Sequence, residues 1–286
     1  MQRNVSSRQT DYASAQQRAV TGKRVNAPSD DPSSFAQARS ETANLARAQS
    51  YERTVSLARP ALETTESALN QVEDIYNRVR NIAVQGANDT LNDTDRATLS
   101  NELTGLHEQL VSLGNSTNGD RFVFAGYKDN APPYDATGLY SGDPNVQQVE
   151  VSRGVNIPMG VTGESVFGTA GADIFTTITN LQTALTTSVA GASVSAAVSA
   201  SLTEIDARFE QVRTVHSRLG NHMNALDIAE AVAGRAQDTS TKNRSSLVDI
   251  DAAQSYTDMA RAQTALSAAI EIAGQLPMPG LVSRSR

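Results

Sequence analysis

Apolar positions along this chain recur at helical spacing through most of its length and give way to alternation only in the middle. Val55, Ala58, Leu62, Thr65, Leu69, Val72, Tyr76, Val79 and Ile82 follow one another at steps of three and four. Such heptad-like spacing predicts a helix packed on partners along its whole length. A more ragged stripe, Phe35, Ala38, Thr42 and Leu45, precedes it. Pro60 falls inside the run and removes a backbone hydrogen bond, so a kink or the start of a second helical segment is expected there. Leu99, Leu103, Leu106, Leu110 and Leu113 form one seam on a further helix, the pattern of helix-on-helix packing.

From Gly114 glycine, proline and aromatic residues rise and a period of two replaces the helical one. Phe122, Phe124, Tyr140, Val149, Val151, Val155 and Ile157 are strand-type residues between turn signals such as Asn118-Gly119, Pro132-Pro133 and Gly142-Asp143-Pro144. A small antiparallel β domain is expected over about 120–171. Helical spacing resumes at Ile174, Ile178, Leu181 and Leu185 and pauses at a turn over Val189–Ser193. It continues through Val198, Leu202, Ile205, Phe209, Val212, Leu219, Met223 and Leu226. The last helix follows Ser245–Asp251 and carries a seam of Tyr256, Met259, Gln263, Leu266, Ile270 and Ala273. At the other end only Val5, Tyr12, Ala15 and Ala19 keep helical spacing, which makes a weak helix in isolation.

Two connections carry clear punctuation. Between Thr21 and Ala38, Gly22 and Pro28 interrupt a helix entering from the N-terminal side. Ser29, Asp30 and Asp31 offer oxygens and negative charge to the N–H groups of the next helix, and Pro32 falls in its first turn, where a missing N–H costs little. Over 86–95 a turn is expected, with Asn92 and Asp93 as candidate N-caps.

Composition narrows the picture further. In 286 residues, hydrophobic side chains make up 39%, aromatics 5%, and Trp is absent, which is thin for a compact enzyme and suits long helices with narrow seams. An elongated molecule is expected. The net charge of -7 disfavours nucleic acid or an anionic membrane as the main partner. There is no cysteine, hence no disulfide or thiolate chemistry. The first twenty residues hold no apolar run like that of a secretory leader, and no stretch is apolar enough to cross a membrane.

Catalytic constellations fail on inspection. His107-Glu108 begins a zinc-protease pattern, but Val111 stands where the second histidine belongs. His216 and His222 are too far apart around a helix to form a one-turn ligand pair and are expected as solvated surface residues. Gly114 to Gly119 is followed by Asp120-Arg121, not by the Lys-Ser/Thr of a phosphate loop. Asp89, Asp93 and Asp95 lack the spacing of a calcium loop and read as caps. No enzymatic activity, metal or cofactor is expected.

The string Thr21–Ala38, with Gly22, Arg24, Asn26, Asp30, Asp31 and Pro32, resembles the signature of bacterial flagellins and the hook-associated junction proteins related to them. Val79–Thr90 is similar to the flagellin string at the end of the first long rod helix, and Ser245–Asp251 with the helix after it resembles the C-terminal string. Phe122–Tyr134, Tyr140–Asp143 and Gly163–Phe167 look like segments of the junction proteins in particular. Two departures stand out. The terminal helix starts closer to Met1 than in that family, and Pro277, Pro279 and the basic Ser283–Arg286 replace an apolar ending.

The resemblance implies a mainly α protein with an inserted β domain, an antiparallel helical rod built from both ends of the chain. Innermost terminal helices would occupy 1–28 and 248–286, the rod 29–119 and 172–247, and the insertion 120–171. It implies a structural subunit joining hook to filament, exported by the flagellar type III system without a cleaved signal peptide and located outside the cell in the flagellum. Partners would be other copies in a ring, a neighbouring hook-associated protein, flagellin and an export chaperone. The terminal helices would stay unpaired in the free subunit and fold on assembly, with Tyr12, Ala15, Ala19, Tyr256, Met259, Leu266 and Ile270 at the subunit interface. Alternatives are a short flagellin forming the filament itself and, from another class, a helical type III-secreted effector or translocator.

Overall fold

The computed structural model describes residues 2–88, 90–186 and 194–275. Asp89, the turn expected over 189–193, Pro277, Pro279 and Ser283–Arg286 lie outside the described residues. The helices are α1 (Gln2–Thr21), α2 (Pro32–Gly86), α3 (Asp93–Gly114), α4 (Gly163–Phe167), α5 (Ile174–Thr186), α6 (Val194–Val248) and α7 (Ala252–Gln275). The strands are short: β1 (Thr117–Asn118), β2 (Arg121–Phe122), β3 (Gln148–Ser152), β4 (Val155–Pro158), β5 (Gly168–Thr169) and β6 (Ala172–Asp173). The fold is thus mainly α. Two compact units emerge, one from 1–49 with 234–286 and the other from 50–233.

The second unit holds the large core. Every position of the seam from Val55 to Ile82 is buried, as are Leu103, Leu106 and Leu110 of α3 and Ile174, Ile178, Leu181 and Leu185 of α5. Within this unit α2 and α6 run antiparallel, because rising numbers on one pair with falling numbers on the other. Arg59 bridges Asp227 and Glu230 at 2.8 and 2.6 Å, Glu73 meets His216 at 2.7 Å, and Arg80 meets Asp206 at 2.7 Å. Arg78 pairs with Glu102 of α3. Pro60 neither ends α2 nor starts a second segment; the helix runs without a break from Pro32 to Gly86. Packing of Ala58 and Leu62 on either side, both fully buried, outweighs one lost hydrogen bond.

The turn after α2 is closed by side chains. Asn92 accepts the Asp95 N–H at 2.8 Å and so caps α3, while the buried Arg96 donates to the Gly86 and Asn88 carbonyls at 3.2 and 3.4 Å. Asp93 and Asp95 occupy the first turn of α3, where their charge meets the positive end of the helix dipole favourably.

The segment after α3 carries three two-stranded antiparallel ladders, β1 with β2, β3 with β4 and β5 with β6. Phe124 and Tyr140 lie outside the strands, contrary to the expectation from alternation. Tyr140 makes an isolated antiparallel bridge with Tyr134, and aromatic packing holds both side chains: Phe124 against Phe167 at 5.6 Å between centroids, and Tyr134 against Tyr140, Phe167 and Phe175, each at 5.2 Å. Because Phe175 belongs to α5, this cluster fuses the insertion to the helical core. Asn115 completes the attachment, its Nδ2 donating to the Tyr134 carbonyl at 2.9 Å and its Oδ1 accepting the Tyr134 N–H at 3.0 Å.

The first unit has a thin core. Its buried side chains among the described residues are Ala15, Val25, Ala38, Ala48, Ser240 and Ser255. Small side chains let helices approach closely but remove little apolar area from water. In this unit α1 and α7 pack on each other. Unpaired terminal helices were the expectation; each instead supplies part of the other's seam.

Candidate functional site: the junction of the terminal helices

The signature string forms the turn between α1 and α2 in the first unit. Gly22 ends α1 with φ +67 and its N–H donating to the Arg18 carbonyl at 2.9 Å, a left-handed C-cap that glycine adopts without strain. The chain then runs beside the break between α6 and α7. Lys23 forms an antiparallel bridge with Asp249, the Arg24 N–H donates to the Val248 carbonyl at 2.7 Å, and the Ile250 N–H donates to the Gly22 carbonyl at 3.1 Å. Two helix ends thereby satisfy each other's free backbone groups.

Arg24 fastens this crossing with its side chain. Its guanidinium donates to the Leu247 carbonyl at 2.8 Å, to Asp31 at 3.3 Å and to Ser34 at 3.3 Å. Asp31 is the N-cap of α2: its Oδ1 accepts the Ser34 N–H at 3.1 Å, and Pro32 occupies the first helical position. Hydrogen bonds from the Ser34 hydroxyl and N–H, then from Ser33, hold the Asp31 carboxyl well below the usual carboxylate range. Asp30 does not cap the helix. Its Oδ2 accepts the Asn26 and Ala27 N–H groups at 2.8 and 2.9 Å, and these bonds, that from Ala27 first, lower its pKa. The Asn26 side chain donates to the Lys23 carbonyl at 3.1 Å, so the whole loop is internally braced.

The interface residues expected from the seams separate into two groups. Ala15 is buried in its own unit, and Tyr12, Ala19, Met259 and Leu266 are half-buried. Tyr256 and Ile270 point outward, 59% and 56% exposed, together with Ile272 and Val20. Gln263 is exposed as well. The inward seam of α7 lies one residue over from Tyr256, Gln263 and Ile270, at Ser255, Met259, Ala262, Leu266, Ala269 and Ala273. Met259, Leu266 and Ala273 belong to both the expected and the observed seam; the other three positions are the small residues Ser255, Ala262 and Ala269, whose heptad spacing is the signal that size alone hides.

The histidines correct another expectation. His216 is not solvated but bonded through Nδ1 to Glu73 at 2.7 Å. His222 is half-buried, and desolvation lowers its pKa. His107 lies edge-on to Phe175 at 5.4 Å. Among the described residues no group of three or more acidic, histidine or cysteine side chains is placed to hold a metal ion, and no helix is long and apolar enough to cross a membrane.

Residues 1–129 match the bacterial flagellin N-terminal helical region. The chain is 30% identical to flagellar hook-associated protein 3 of Escherichia coli (strain K12), over 93% of this chain and 90% of that protein. It is likewise 30% identical to flagellar hook-associated protein 3 of Salmonella typhimurium, over 92% and 90%. Similarity to phase 1 flagellin of Salmonella naestved spans only 41% of this chain and 23% of that protein. Among solved structures, a putative flagellar hook-associated protein from Vibrio parahaemolyticus shares the fold with a TM-score of 0.70 at 22% identity, covering 77% of this chain and 100% of that one. The flagellar junction protein FlgL from Legionella pneumophila does so with a TM-score of 0.62 at 17% identity, covering 74% and 100%. On the identity and extent of these matches, the chain belongs to the flagellar hook-associated protein 3 family.

Proposed function

We propose that this protein is a structural subunit of the bacterial flagellum that joins hook to filament. In this reading it is exported by the flagellar type III system with the help of a chaperone, works outside the cell, and assembles with copies of itself in a ring, with a neighbouring hook-associated protein and with flagellin. It performs no catalysis. Segments 1–28 and 248–286 form the inner layer, 29–119 and 172–247 the rod, and 120–171 the insertion.

The observation that supports this reading best is the inverted distribution of side chains in the terminal unit. The buried side chains are alanines and serines with Val25, while Tyr256 and Ile270 face solvent. Helices that leave large apolar side chains such as these in water gain by meeting a neighbour, at roughly 1.5–3 kcal/mol for each side chain fully covered. Tyr12, Ala15, Ala19, Met259 and Leu266 then hold the pair of terminal helices together and Tyr256 and Ile270 make the contact with the next subunit. Gly22, Arg24, Asn26, Asp30, Asp31 and Pro32 fix the angle at which the chain leaves that layer.

The test is electron microscopy of a strain lacking the gene. Hooks without filaments, with flagellin monomer in the medium, are expected. Normal filaments would sink the junction role, and abundant copies along the filament would favour a short flagellin.

A further inference from the structure

We propose that Asn118 is a site of spontaneous deamidation, converted in the folded protein to isoaspartate and aspartate while the nearby Asn115 is protected. The register pairs Thr117 with Phe122 and Asn118 with Arg121, leaving Gly119 and Asp120 as a two-residue loop. Gly119, with φ +62 at the first central position, gives the type II′ form. Three features of this turn favour the chemistry. The Asn118 amide and the Gly119 N–H have no hydrogen-bond partner among the described residues. Gly119 carries no side chain to obstruct approach. Open space surrounds it, with nothing within 4 Å of where a Cβ would stand.

The Gly119 nitrogen attacks Asn118 Cγ, forming an N–Cγ bond as the Cγ–Nδ2 bond breaks. Ammonia departs with the proton of the Gly119 amide and leaves a five-membered succinimide. Water then adds to one of the two ring carbonyls, giving isoaspartate if the main-chain carbonyl is attacked and aspartate if Cγ is attacked.

Asn115-Ser116, three residues earlier, has the same atoms in a locked arrangement. Both ends of the Asn115 amide are held by the Tyr134 backbone, and the Ser116 N–H donates to the Leu113 carbonyl at 3.0 Å. Neither nucleophile nor electrophile is free. At position 118 the reaction creates a carboxylate opposite Arg121, whose guanidinium already bonds Asp129 at 3.1 Å. The new charge lies on the wall of a cleft of about 400 Å³ lined also by Leu57, Phe122 and Met159.

The experiment ages the full chain at mildly alkaline pH, native and chemically unfolded, and reads the tryptic peptide ending at Arg121 by tandem mass spectrometry. The expected result is amide-to-acid conversion at Asn118 but not Asn115 in the native protein, and conversion at both in the unfolded one. Asn118→Gln should abolish the native signal, since its longer side chain would have to close a larger ring. Asn118 intact in the native protein, or Asn115 converting there as fast, would overturn the proposal.

Discussion

The Arg24 guanidinium donates to the Leu247 carbonyl at 2.8 Å across a separation of more than two hundred residues, one position before the carbonyl that accepts the Arg24 N–H. One residue thus ties the α1–α2 turn to the end of α6. Arg24→Ala should cost about 1 kcal/mol, the modest net worth of a partly exposed charged hydrogen bond. The same change should speed amide exchange at Val25 and Ile250, and unchanged exchange there would mean the backbone bridge holds without the side chain.

The carboxyls of Asp30 and Asp31 have folded pKa values below the ordinary 3.8. A depressed carboxyl contributes stability above its unfolded pKa and loses it as pH falls through its folded one. Stability from this turn should therefore be level with pH above about 4 and decline below it. Titrating the Asp carboxyls by NMR checks the direction. Normal midpoints would remove the basis of the claim.

Leu103 of α3 is fully buried in the common core of the second unit, so Leu103→Ala should destabilise that unit by about 2–5 kcal/mol. Since Phe124, Tyr134 and Phe167 share that core, near-ultraviolet circular dichroism from the insertion's tyrosines should be lost in the same transition. A separate later transition would show that the insertion has its own core.

Tyr256→Ser and Ile270→Ser remove apolar side chains that are mostly in water, so each should shift monomer stability by no more than about 0.5 kcal/mol. Complementation of a deletion strain should nonetheless fail in filament attachment. Full motility with both changes present would place the subunit contact elsewhere.

The helical seams were legible because burial on one face leaves a period that needs no tertiary knowledge: Val55 to Ile82 reads as buried and is buried. The junction was legible for the same local reason, since Gly22, Asp31 and Pro32 have backbone requirements expressed within a few residues. On α7 Met259, Leu266 and Ala273 face inward as expected, but Tyr256 and Ile270 stand one position off that face, because they look like core residues when size alone is weighed. The alternation over the insertion likewise suggested more strand than forms, since an aromatic side chain such as Phe124 can be buried without belonging to a ladder.

By itself, then, the sequence determined the helical seams, the stops and caps at Gly22, Asp31 and Asn92, the mainly α class and the family strings, all features written in local spacing and turn chemistry. Tertiary structure alone decided that Arg24 reaches Leu247, that His216 meets Glu73 across α6 and α2, and that the aromatics of the insertion fuse with α5 into one core. It also decided which face of α7 turns to α1. These relationships join residues distant in the chain, and no local period encodes which of two amphipathic faces finds a partner within the molecule and which is left outward.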